Sequence, residues 1–175
     1  MKLAAIWAQD QGGVLGDGTR MLWRVPADLA HFKENTMGST LLMGRSSFQS
    51  LRGGLPGRQI VVLSRQVGYE PAGAVVANSL TSGVQLTREL ARERGADTAW
   101  VTGGGQVYAQ AIGLVDELVV TDLDFAFEPG GSRAQLVHAP KIDPEIWEVD
   151  ASRSDSTWRE RSGDGRWRVT TYVRR

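Results

Sequence analysis

Apolar residues in this chain gather in short unbroken runs closed by glycine, proline, serine or a charged residue, and only the tail alternates. Residues 3–8 are apolar at every position, which predicts a strand buried on both faces in the middle of a sheet. The glycine-rich residues 12–18 follow and predict a mobile loop. Pro26 lacks a donor that a first helical turn would leave unpaired, and Leu29, Phe32 and Lys33 continue at helical spacing, so a helix is predicted over residues 26–36. The runs 41–43, 60–63 and 74–76 read as further buried strands, parallel if helices join them. Leu80, Val84, Leu90 and Ala91 share one face of a segment rich in Glu and Arg that Gly95 ends, the pattern of a surface helix, with Gly83 weakening its first turn. Residues 99–102 enter the triple glycine 103–105 and then residues 106–112, which reads as strand, glycine turn, short helix. In the tail, Trp167, Val169, Thr171 and Val173 alternate with Arg166, Arg168, Thr170 and Tyr172, predicting a half-exposed antiparallel strand at a sheet edge or in a hairpin. Residues 128–140 read as a long loop.

With 175 residues, 41% of them apolar, the chain suits one compact domain over residues 1–175. Twenty basic and twenty acidic side chains cancel, so no net field draws it to nucleic acid or an anionic membrane, and the expected ligand is small. The six tryptophans are spread along the chain and read as core rather than as a base-stacking surface. Cysteine is absent, which excludes disulfides, thiolate nucleophiles and sulfur-ligated zinc. Only His31 and His138 remain as imidazoles, both read as surface or loop residues, so no metal is expected. The apolar run at residues 3–8 is too short for a signal-peptide core or a membrane span, which makes the cytoplasm the expected location.

Three strand ends carry anion chemistry. At the triple glycine the backbone can approach a pyrophosphate, and the helix that follows offers unpaired N–H groups and a positive dipole end. This is not the G-x-G-x-x-G fingerprint, and by itself it reads equally well as a tight packing turn. Gly44-Arg45-Ser46-Ser47 repeats the arrangement with a cation and two hydroxyls, and Ser64-Arg65 does so after the strand at 60–63. Each alone is explained by a capping serine and a solvated arginine; three together at one sheet edge point to a phosphate-bearing ligand. Asp28 lies in the first turn of its helix, where a dipole-favoured, exposed acid is the ordinary case, but Trp23, Pro26, Leu29 and Phe32 around it suggest a pocket wall.

In order along the chain, Ile6-Trp7-Ala8, residues 22–29, Met43-Gly44-Arg45, Leu55-Pro56-Gly57-Arg58, Val62-Leu63-Ser64-Arg65 and residues 103–108 together resemble the dihydrofolate reductase family of bacterial, chromosomal type. The resemblance implies an α/β fold: a twisted, mostly parallel sheet of about eight strands with an antiparallel C-terminal edge and about four helices. It implies reduction of dihydrofolate to tetrahydrofolate, hydride passing from NADPH to C6 with protonation at N5, by a monomer open to antifolate inhibitors. By resemblance Asp28 is the buried carboxylate that accepts the amidine-like edge of the pterin as a fork, Thr121 bonds both, and Met21 and Trp23 complete the catalytic set. Ile6, Trp7, Leu29, Phe32 and Leu51 would wall the substrate, with Arg58 clamping its glutamate carboxylate. Ala8 and Leu15 would border the nicotinamide. Gly44, Arg45, Ser46 and Ser47 would cradle the pyrophosphate with Gly104, Gly105, Gln106 and Val107, and Gly16, Leu63, Thr102 and Tyr108 would also contact the cofactor. Ser64 and Arg65 would face the 2′-phosphate. The resemblance further implies a cis Gly103–Gly104 peptide and a closing loop over residues 16–23 with Met21 at its tip. Leu22 in place of a proline, Thr102 in place of a larger aliphatic residue and the unusual residues 125–140 depart from the family. The rival readings are the pyrimidine reductase of riboflavin synthesis, against which Asp28 and Arg58 argue, and a weakly active paralogue that binds NADPH or pterins.

Overall fold

The computed structural model describes residues 1–18, 20–127 and 135–175. The strands are β1 (Lys2–Gln9), β2 (Val14–Gly16), β3 (Thr40–Gly44), β4 (Gln59–Leu63), β5 (Val75–Ala77), β6 (Thr98–Val101), β7 (Glu117–Leu123), β8 (Val137–His138), β9 (Trp147–Val149), β10 (Arg159–Ser162) and β11 (Gly165–Arg174). The helices are α1 (Pro26–Thr36), α2 (Arg45–Ser50), α3 (Leu80–Glu93) and α4 (Gly105–Ala111), with a single 3₁₀ turn at Ala151–Arg153. The main sheet runs β10-β11-β7-β1-β6-β3-β4-β5, with β9 also paired to β11. Pairings from β7 to β5 are parallel; β11 joins β7, β9 and β10 antiparallel.

The unbroken apolar runs have their cause in two covered faces. Leu3, Ala5 and Trp7 point into a core shared with Val84 and Ala91 of α3 and Val107 and Tyr108 of α4. Ala4 and Ile6 point into the opposite core, with Leu41, Met43, Trp167 and Val169, against which Phe32 of α1 and Phe48 of α2 pack. Every tryptophan but Trp158 is buried. The helix over residues 26–36 forms as expected, with Pro26 in its first turn and Lys33 in its last. α3 starts on Ser79, whose hydroxyl accepts from Ser82 N–H, and Gly95 follows it with φ 74°. Gly83 has a packing reason: a Cβ there would stand 2.6 Å from Leu63 and 3.1 Å from Leu42.

Two expectations are corrected. The stretch 12–18 contains β2, because the buried Asp10 carboxylate accepts the N–H groups of Gly12 and Val14 at 2.8 Å each and turns the chain back as a ribbon. The long loop predicted over 128–140 contains β8, paired with β2 through Val14 and His138; residues 128–134 lie outside the described residues. The tail strand forms the expected hairpin: β11 pairs antiparallel with β10, and together they make the antiparallel C-terminal edge beside β7. The alternation of β11 is imperfect, since Thr170 is buried along with Val169 and Thr171.

Candidate functional site

Parallel strands end together, and here the C-terminal ends of β1, β3, β4 and β6 open with the middle of β7 onto one cleft of about 1560 Å³. α1 and α2 cover one sheet face and α3 and α4 the other, so the cleft is flanked by helices from both.

The glycine turns after β3 and β6 meet within it. Gly44 N–H donates to the Gly103 carbonyl at 2.8 Å, and the Gly103–Gly104 peptide is cis. A Cβ on Gly104 would stand 3.1 Å from the Ser47 hydroxyl, and one on Gly44 3.3 Å from Val107, so side chains here would fill the floor. Both short helices that follow, α2 and α4, start on a glycine, with no side-chain cap among the described residues. Their first-turn residues, Ser46, Ser47 and Gln106 among them, line the cleft, and a helix start leaves its first N–H groups unpaired, a donor set suited to a pyrophosphate. Arg45 reaches across the mouth to donate to Gln66 and lies 5.9 Å from the Tyr69 ring. Ser64 is buried at the end of β4 and Arg65 exposed beside it. Tyr108 presents its ring to the cleft while its hydroxyl is spent on the Ile6 carbonyl at 2.6 Å; burial pushes that phenol far above its ordinary value.

Asp28 is the buried acid of the cleft, only 7% exposed. Thr121 of β7 donates its hydroxyl to Asp28 Oδ1 at 2.6 Å, joining residues 93 apart in the chain. Burial lifts the Asp28 carboxyl above the usual carboxylate value; the Thr121 hydrogen bond and the nearby His31 pull it partly back. Ile6, Trp7, Leu29, Phe32 and Leu51 surround it along the cleft. Met21 and Leu29 are about half exposed, at 46% and 49%, as rim residues of an open cleft are. Ala8, Leu15, Gly16, Leu63, Thr102, Gly105 and Val107 also line it, so the structure gathers nearly every residue singled out in the sequence.

Two residues stand apart. Trp23 is buried behind the wall, edge-on to Phe125 at 5.8 Å, and its indole N–H has no partner among the described residues. Arg58 lies outside the lining, its guanidinium donating to Thr36 Oγ1 at 3.3 Å and the Pro56 carbonyl at 3.2 Å. The cleft also takes in Leu55, Gln66, Asn78, Ser79, Leu136, Val137 and His138, which sequence reasoning missed. His138, read as a loop residue, lies in β8 at the rim. Leu55, within the Leu55-Pro56-Gly57-Arg58 motif, and Gln66, adjacent to Ser64-Arg65, had a signal nearby. Among the described residues no cluster of His, Asp and Glu could hold a metal ion, and no helix is long and apolar enough to cross a membrane.

A family model described as dihydrofolate reductase matches residues 2–174. The dihydrofolate reductase of Mycobacterium tuberculosis is 38% identical over 172 residues, covering 97% of this chain and 96% of the relative. That of Neisseria meningitidis serogroup B is 34% identical over 175 residues, covering 99% of each. Among solved structures, a dihydrofolate reductase from Enterococcus faecalis complexed with NADP(H) and RAB-propyl superposes with a TM-score of 0.83 at 29% identity, covering 99% of this chain and 96% of that one.

Proposed function

The chain belongs to the dihydrofolate reductase family, and from that premise we propose how its own residues serve the reduction of dihydrofolate. The protein is an NADPH-dependent oxidoreductase that converts dihydrofolate to tetrahydrofolate. When bound, NADPH supplies the hydride. The α2 and α4 N-termini with Ser46, Ser47 and Gln106 hold its pyrophosphate, and Ser64 and Arg65 take the 2′-phosphate.

One observation carries the substrate assignment: a buried carboxylate, one oxygen fixed by Thr121, facing a cleft walled by apolar and aromatic side chains. Asp28 Oδ1 is oriented by the hydroxyl, so Oδ2 and the remaining lone pairs of Oδ1 accept the two donors of the pterin edge. That fork fixes the ring's orientation, and the negative charge favours a proton at N5. Trp7 and Phe32 exclude water around the ring, Leu51 and Leu29 flank the benzoyl group, and Met21 closes the rim. Arg58 leaves its Thr36 and Pro56 acceptors to pair with the glutamate carboxylate. The working unit is one reductase domain over residues 1–175, acting as a cytoplasmic monomer open to antifolates.

The family match gives no support to the riboflavin-pathway alternative. Loss of NADPH absorbance on adding dihydrofolate, with NADH and a diaminopyrimidine inhibitor as controls, tests the reading. Rapid, inhibitor-sensitive oxidation that prefers NADPH is the expected result; tight NADPH binding without turnover would leave only a binding paralogue.

A further inference from the structure

His31 has no part in the mechanism above, yet it sits on α1 three residues beyond Asp28, the spacing that brings two helical side chains to about 5–6 Å at their Cβ atoms. It is half-buried. Its ring packs on Trp167 of β11 with centroids 5.9 Å apart, and the Arg159 guanidinium of β10 lies 4.4 Å from the same indole. Asp155 holds Arg159 through two hydrogen bonds, at 2.7 and 3.1 Å, and also accepts Val169 N–H. Val169 is the register partner of Thr121, and Trp167 shares its sheet face two residues away. α1 therefore lays Asp28 over Thr121 and His31 over Trp167 on one surface of the sheet.

The charged groups facing His31 are Asp28 and Glu34 from α1, Arg159 from β10 and Asp155 from the segment before it. Burial lowers the imidazole from its ordinary value; Asp28 opposes that most strongly, Arg159 adds to it, and Glu34 and Asp155 oppose it. We propose that His31 is a second titrating group of the site, a positioning residue whose protonation stabilises the charged Asp28 carboxylate. The two side chains then take up their protons as a coupled pair rather than independently. This rests on the assignment of Asp28 to the pterin. The sign follows from the charges. Cationic His31 resists protonation of Asp28, so without it Asp28 takes its proton at higher pH. Above neutrality the imidazole is uncharged and its removal changes nothing.

The test is reciprocal, as linkage demands. The Asp28 carboxyl carbon is titrated by NMR in the parent and in His31→Gln, and the His31 imidazole in the parent and in Asp28→Asn. The expected results are an upward shift for Asp28 in His31→Gln and a downward shift for His31 in Asp28→Asn, each on the order of half a pH unit. The inflection of the single-turnover hydride-transfer profile moves up in His31→Gln with the carboxyl. Either titration unchanged overturns the proposal, as does a loss of rate uniform across pH, which marks a structural role alone. If His31→Gln does not fold, the imidazole titration decides by itself. Near-parent turnover of Asp28→Asn is a separate outcome that removes Asp28 from the mechanism, whatever the coupling.

Discussion

Burial makes the ionised Asp28 carboxylate costly in the ligand-free protein, and the Thr121 hydroxyl only partly compensates. Because its folded value is raised, the stability tied to this group is complete below the ordinary aspartate value of 3.8 and is lost as pH rises through the folded value. Asp28→Asn should therefore raise the unfolding midpoint of the ligand-free protein at neutral pH, a gain that disappears under acid conditions where the parent carboxyl is protonated; scanning calorimetry at two pH values checks this. The same variant should lose about a hundredfold or more in hydride transfer while its affinity for NADPH is kept. Arg58→Leu should raise KM for dihydrofolate about tenfold or more with KM for NADPH unmoved, since a charge-assisted pair is lost only on the substrate side. Equal changes in both constants would contradict the assignment. At this scale the sequence revealed the acid through its apolar neighbours, and resemblance supplied Thr121. Local pattern cannot report a contact across 93 residues, nor that Trp23 faces Phe125 instead of the cleft.

α1 has no side-chain cap of its own at Val25. The β10–β11 turn supplies one instead: Ser162 Oγ accepts Ala27 N–H at 3.0 Å, Asp164 Oδ2 accepts Arg24 N–H at 2.6 Å, and Asp164 N–H returns to the Arg24 carbonyl at 3.0 Å. Gly163 makes this approach possible, with φ 62° and a would-be Cβ only 2.2 Å from the Arg24 carbonyl oxygen. Gly163→Ala should cost about 1–3 kcal/mol in denaturant unfolding, from the left-handed backbone and the forced retreat of α1. Because α1 carries Asp28, Leu29 and Phe32, KM for dihydrofolate should rise too; unchanged stability would show that the turn does not brace the helix. The longer elements were legible because each buries a run or a face. β2 and β8, of three and two residues, bury too little to leave a period and depend on a carboxylate, Asp10, that looks like any loop acid.

Across the whole molecule, the C-terminal hairpin does more than widen the sheet. Arg174 donates to the carbonyls of Ile112, Gly113 and Val115, satisfying the end of α4 opposite its glycine cradle. β11 runs the full length of β7, which carries Thr121. The sheet's parallel character was legible from its unbroken apolar runs, but the pairing of β11 with β7 was not, because alternation marks a half-exposed strand without saying what lies beyond it. Asp124, Asp150 and Asp155, all held below the ordinary carboxylate value mainly by arginine and hydroxyl partners or backbone N–H groups, also lie on this antiparallel side. Their contribution is present above the ordinary aspartate value of 3.8 and lost as pH falls through the lowered folded values, so acid should loosen the hairpin before the parallel half. Hydrogen exchange under mild acid would locate that first opening.

The ribosome makes β11 after everything it packs against. A nascent chain that has already produced Asp28, Thr121 and both glycine turns still lacks the strand that backs β7 and the turn that braces α1. Completion of the catalytic half therefore waits on residues 165–174 clearing the exit tunnel, and until then the substrate wall stands without its backing strand.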